Sequence, residues 1–91
     1  MSVVVVGGDY LDQLSSRLEN QGFEIIKHIS GRKTRDAALP NKTEALILLT
    51  DYVNHNVATA LKNEAKKRGI KTVFAKHSWA HLSQELSALK N

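Results

Sequence analysis

The feature that most constrains this chain is the unbroken β-branched run Val3, Val4, Val5 and Val6, which ends abruptly at Gly7-Gly8-Asp9. A strand with one wet face alternates apolar and polar residues, whereas a strand covered on both faces is apolar throughout. Four consecutive valines therefore predict a central strand of a parallel sheet, and the glycine pair predicts the turn that leaves it. Covering both faces of such a strand takes helices on both sides of a sheet. Leu11, Leu14 and Leu18 recur at helical spacing within residues 10–20, and Gly22 supplies a stop. Phe23, Ile25, Ile26 and Ile29 mark a second strand over residues 23–29, with less regular alternation. Strand, helix and strand make one βαβ unit.

Residues 30–43 change character, because Gly31, Arg32, Lys33, Arg35, Pro40 and Asn41 replace apolar periodicity with turn formers and charge. They read as a long loop. Residues 44–50 contain Ala-Leu-Ile-Leu-Leu, a second solid apolar run short enough for a buried strand. Val53, Val57, Ala58, Leu61 and Ala65 mark one face of a helix ending near Arg68 and stopped by Gly69. Residues 72–75 form a fourth strand, and Trp79, Leu82, Leu86 and Leu89 stripe a final helix with Ser78 as its cap.

The order β-α-β-β-α-β-α predicts one α/β layered structure. Right-handed crossovers give a four-stranded parallel sheet of order 2-1-3-4 with three helices, a small three-layer Rossmann-like or flavodoxin-like fold. At 91 residues the chain reads as a single α/β domain over residues 1–91. Its apolar runs are far shorter than a membrane span, and Asp9 and Asp12 interrupt any signal-peptide pattern, so a cytoplasmic protein is expected. Stability of roughly 5–14 kcal/mol is expected for this length, at which pairing across a homodimer would be useful.

In open α/β sheets ligands bind beyond the carboxyl ends of the strands, where the connections diverge. That edge collects Gly7, Gly8 and Asp9 after the first strand and His28, Ser30, Gly31, Arg32 and Lys33 around the end of the second. Thr50, Asp51, Tyr52, Asn54 and His55 follow the third, and Lys76, His77 and Ser78 follow the fourth. Gly7 and Gly8 let backbone approach a ligand closely and offer amides to an anion. Asp9, Tyr10 and Leu11 occupy positions where a dinucleotide fingerprint carries further glycines, which argues against a dinucleotide cofactor. A tight strand-to-helix turn capped by Asp9 explains the same residues. His55 lies at a helix start, where a neutral imidazole both donates and accepts hydrogen bonds.

With no cysteine in the chain, thiolate catalysis, iron–sulfur clusters and cysteine-based zinc sites are excluded. A metal would fall to the histidines. His77 and His81 are four apart, and with His55 they suggest a histidine-ligated divalent metal or haem, although surface histidines have the same spacing. Asp9, Asp51 and Lys76 lie where phosphoacceptor receiver domains carry acidic groups and a lysine, which makes phosphotransfer through Asp51 a further alternative. The usual acidic pair after the first strand and a fifth βα unit are missing. The net charge of +4 divides between Arg32, Lys33 and Arg35 at the ligand edge and a group of Lys62, Lys66, Lys67, Arg68 and Lys71 at the opposite end. The second group suits the negative end of a helix dipole. The first suits phosphate, while the absence of an aromatic stacking motif argues against sequence-specific nucleic-acid binding.

The segments Val3-Val-Val-Val-Gly-Gly-Asp9, Leu49-Thr-Asp-Tyr-Val-Asn-His-Asn56 and Asn63-Glu-Ala-Lys-Lys-Arg-Gly-Ile70, in this order and spacing, resemble a bacterial family of small Rossmann-like proteins catalogued as a domain of unknown function. The resemblance spans nearly the whole chain and points to Gly7, Gly8, Asp9, Asp51 and His55. It departs at Lys76-His77-Ser78-Trp79-Ala80-His81, where the family pattern is richer in arginine and serine. The family implies a fold and no reaction. Taken with the lack of a nucleophile–base pair, these features predict a noncatalytic binding or regulatory module. Its strand-end face, with Gly7, Gly8, Asp9, Arg32, Lys33, Thr50, Asp51 and His55, would take a small anionic ligand or a partner.

Overall fold

A computed structural model describes residues 1–8, 10–11, 13–30 and 38–90. The element order is β1 (Ser2–Val6), α1 (Gln13–Asn20), β2 (Glu24–Ile29), β3 (Ala45–Leu49), α2 (His55–Lys67), β4 (Lys71–Ala75) and α3 (Trp79–Lys90). All three strand pairings are parallel, and the sheet order is β2-β1-β3-β4.

The solid apolar runs are explained by two cores, one on each face of the sheet. Val3 and Val5 of β1 and Ala45, Ile47 and Leu49 of β3 meet Leu14 and Leu18 of α1 and Leu82, Leu86 and Leu89 of α3. On the other face Val4, Val6, Leu46 and Leu48 meet Val57, Leu61 and Ala65 of α2, together with Leu39 from the long loop. Every residue of β3, and Val3 to Val6 of β1, is buried. Burial of each large aliphatic side chain contributes about 1.5–3 kcal/mol, so the two central strands anchor the fold.

Local chemistry sets the element ends. At the end of α2 the Gly69 amide donates to Lys66 O (3.3 Å) and the Ile70 amide to Ala65 O (2.8 Å). This paired closure needs a left-handed residue, which Gly69 provides at φ +69°. It also folds Ile70 onto the same core as Ala65. The end of α1 is built alike, with Gly22 N–H to Glu19 O (3.0 Å) and Phe23 N–H to Leu18 O (3.0 Å). Asn54 caps α2, its side chain accepting from the Asn56 amide at 2.8 Å.

The structure departs from the sequence reading at three places. The first helix begins at Gln13, whereas periodicity starts it at residue 10. The chain leaving β1 is bonded sideways to Ile29 and Tyr52, so it travels along the sheet edge before a helix can lie down. The second strand carries a register shift: Val3 pairs with Ile25 but Val4 with Lys27. The extra residue, Ile26, changes the parity of the strand: Phe23 and Ile25 face the core under α1 and α3, whereas Ile26 and Ile29, three apart, both face the α2 core, which is why the alternation is irregular. The long loop is also less polar than its composition. Leu39 is buried, and Arg68 holds it by donating to Leu39 O (2.8 Å) and Pro40 O (2.9 Å). Arg68 thus clamps a loop as well as ending a helix.

Candidate functional site

The connection from β1 runs through α1 on one face, and that from β3 runs through α2 on the other. The divergence point is therefore the carboxyl edge between β1 and β3, the place where this topology leaves a crevice. Three strand ends meet there around His77. The His77 amide donates to Asp51 Oδ1 at 2.9 Å, tying the segment after β4 to the segment after β3. The His77 ring stands edge-on to Tyr52, with centroids 5.2 Å apart and planes at 89°. Its Nε2 donates to Tyr10 O at 3.4 Å, which brings in the chain after β1. A Cβ on Gly8 would lie 3.9 Å from both the His77 ring and Tyr52 Cβ, so Gly8 forms the floor under this cluster. Thr50 closes it from below, its amide donating to Ala75 O at 2.8 Å.

Beside this cluster, a groove of about 590 Å³ opens between the starts of α1 and α3, lined by Leu11, Gln13, Leu14, Arg17, His77 and Trp79. The late start of α1 leaves Leu11 in the wall of the groove instead of in a helix. Leu11 and Trp79 pack against the core below, so the apolar wall is anchored. The Arg17 guanidinium lies over the Trp79 ring, 5.7 Å from its centroid.

Of the residues expected at the site, Thr50 and Asp51 reach this cluster, and Gly8 lies under it. The anion-binding role expected of the Gly7 and Gly8 amides is not available. Gly7 N–H donates to Ile29 O (2.8 Å) and Gly8 N–H to Tyr52 O (3.3 Å), because the turn has to be stitched to both neighbouring strands. These glycines supply shape instead of donors. His55 is the first residue of α2 and is exposed. His28 lies within β2, where its Nε2 donates to Gly7 O at 3.2 Å. Asp9, Arg32, Lys33 and Arg35 lie outside the described residues.

The histidines are not gathered for a metal. His81 Nδ1 accepts from the Lys76 amide at 3.1 Å and so serves the turn into α3, while His77 Nε2 is directed at Tyr10 O. Among the described residues no three His, Asp or Glu side chains stand close enough to hold a metal ion, so His55, His77 and His81 form no common site. No described helix is long and apolar enough to cross a membrane.

Sequence reasoning missed Arg17 altogether and treated Trp79 only as core. The available signal was position: Arg17 borders the Leu14–Leu18 stripe of α1, at the margin where a side chain leaves the core and lines its rim.

No curated protein and no solved structure matches the chain. A family model covers nearly the whole chain. It is described as an uncharacterized protein conserved in bacteria (DUF2325) and matches residues 2–89, and the chain belongs to that family.

Proposed function

We propose that this protein is a noncatalytic binding module that holds a small anionic molecule at the carboxyl edge of its sheet, with a regulatory role exerted through that occupancy. One observation carries the reading. The Asp51–His77–Tyr52 cluster joins the ends of β1, β3 and β4 into one fixed surface, and that surface opens onto a groove lined by the cation of Arg17. Arg17 has no carboxylate partner among the described residues, and the chain as a whole carries +4, so an anion is the favoured visitor. The site is fixed by hydrogen bonds and core packing before any ligand arrives, which lowers the ordering cost of binding. None of its described groups forms a nucleophile–base pair, so binding is favoured over catalysis.

The test is amide NMR of the isotope-labelled protein titrated with acetate, inorganic phosphate and citrate at millimolar concentrations. Shifts confined to Gly8, residues 50–52 and residues 76–79 are expected with at least one of the three. If none moves those amides, or all move amides elsewhere, the reading fails. The proposal includes a homodimer, since β2 and β4 each pair with only one described strand and leave an edge for a second copy. A purely monomeric sedimentation profile at high micromolar concentration would remove that part.

A further inference from the structure

We infer that the groove between α1 and α3 selects an aromatic carboxylate, an anion whose charge is attached directly to a flat ring. The inference rests on the binding-module reading above and names the class of ligand. Three features of the groove have to be satisfied together. Arg17 supplies a planar fork of donors, and guanidinium is matched bidentately by carboxylate. Trp79 offers a π-face in the same groove, already holding the Arg17 cation at 5.7 Å from its centroid. Leu11 and Leu14 complete an apolar wall, with Leu14 only 5% exposed.

A hydrated inorganic anion would satisfy Arg17 and leave that wall in water. A neutral arene would cover the wall and leave Arg17 without an anion. A carboxylate joined to a flat ring meets both, with its charge on the guanidinium and its ring against Trp79, Leu11 and Leu14. The volume of about 590 Å³ is that of a site for a small organic molecule. The groove is open to solvent on one side, so affinity comes from stacking and charge instead of enclosure. The His77 ring forms its inner end and is held in place by the Asp51 and Tyr52 contacts. Occupancy would thereby be felt at all three strand ends.

Three probes separate the contributions: 2-naphthoate, its fully saturated decahydro analogue with the same charge, and 2-naphthalenemethanol with the same ring and no charge. Trp79 is the only tryptophan, so its indole N–H gives a single NMR resonance that reports directly on the groove. 2-Naphthoate is expected to shift that resonance and to bind at least about tenfold tighter than either control, a difference of about 1.4 kcal/mol. The exposed Arg17 permits Arg17→Gln without loss of core packing, and this variant should bind naphthoate no better than the neutral alcohol. With binding followed at the Gln13 and His77 backbone amides in place of the lost indole, Trp79→Phe, which keeps a ring, should retain most of the affinity, whereas Trp79→Leu should lose the preference over the saturated analogue. Equal binding of the three probes, unchanged naphthoate binding by Arg17→Gln, or no shift at Trp79 would each overturn the inference. If citrate or phosphate still moves the strand-end amides while naphthoate does not bind, this inference alone falls. If no anion binds, the module reading falls with it.

Discussion

Gly7→Ala is the substitution on which the architecture of the strand-end turn can be tested most sharply. Gly7 has φ +124°, a conformation that side chains rarely adopt, and a Cβ placed there would lie 2.8 Å from Leu49 Cβ and 2.9 Å from Leu49 O. Leu49 is fully buried in the neighbouring strand β3, so neither atom has room to retreat. The backbone strain costs about 1–3 kcal/mol, and overpacking against a fixed strand costs about 1–3 kcal/mol more. The lower entropy of the unfolded alanine chain returns about 0.4–1 kcal/mol in the opposite direction to the strain, because it disfavours unfolding. The expected net loss is about 1–5.5 kcal/mol, against a total of roughly 5–14 kcal/mol for a chain of this length. A domain of this size loses about 4–8 °C in Tm per kcal/mol, so the midpoint should fall by at least about 4 °C. Gly69→Ala is the matched control, with φ +69° and nothing within 4 Å of the added Cβ. It isolates the conformational cost, about 1–2 kcal/mol. Urea unfolding followed by circular dichroism would compare the two. If Gly7→Ala destabilises no more than Gly69→Ala, the close approach of Gly7 to Leu49 is not what fixes glycine at that position.

Arg68→Lys should lower the urea midpoint by an amount equivalent to about 1–2 kcal/mol, because an ammonium cannot reproduce the two parallel bonds to Leu39 O and Pro40 O. Glu64→Gln, which removes only the long 3.9 Å ion pair to Arg68, should change stability by less than about 0.5 kcal/mol in the same assay. Asn54→Ala should cost about 1 kcal/mol by loss of the α2 cap, with Asn54→Asp restoring most of it. Leu48→Ala, near the end of fully buried β3, should cost about 2–5 kcal/mol, and a value under about 1 kcal/mol would mean that Leu48 is not packed in the core under α2.

The parts of the fold legible in the sequence are those where one physical demand acts alone. Val3 to Val6 and the Ala45–Leu49 run are apolar at every position because both faces are covered, and no other reading of so short a run competes well. Gly22 and Gly69 announce their helix ends because each closure needs a left-handed residue at one fixed place. The order 2-1-3-4 follows from crossover handedness once the strands are placed. By contrast, the register shift at Ile26 and the late start of α1 depend on bonds to distant segments, which periodicity does not encode. Leu39 lies in a stretch, residues 30–43, whose composition reads as a polar loop. Its burial depends on Arg68, far along the chain, reaching back to hold the loop carbonyls.

The site follows the same division, and the division explains its character. Topology alone lists Thr50, Asp51 and His77 at the switch-point edge, since any residue just after a strand has to lie there. What the list lacks is direction. The Gly7 and Gly8 amides are aimed sideways into the structure, so the positive donors that a glycine turn usually offers a ligand are spent on holding β1 to its neighbours. Among the described residues lining the groove beside this edge, the cation is Arg17, contributed by the flank of α1 and stacked on a residue of α3. A site whose charge comes from a helix flank against an indole, instead of from a turn of amides, has lost the geometry that cradles phosphate and gained a flat apolar surface beside one cation. For the binding module proposed above, that exchange is the reason a planar organic anion is proposed over a compact inorganic one.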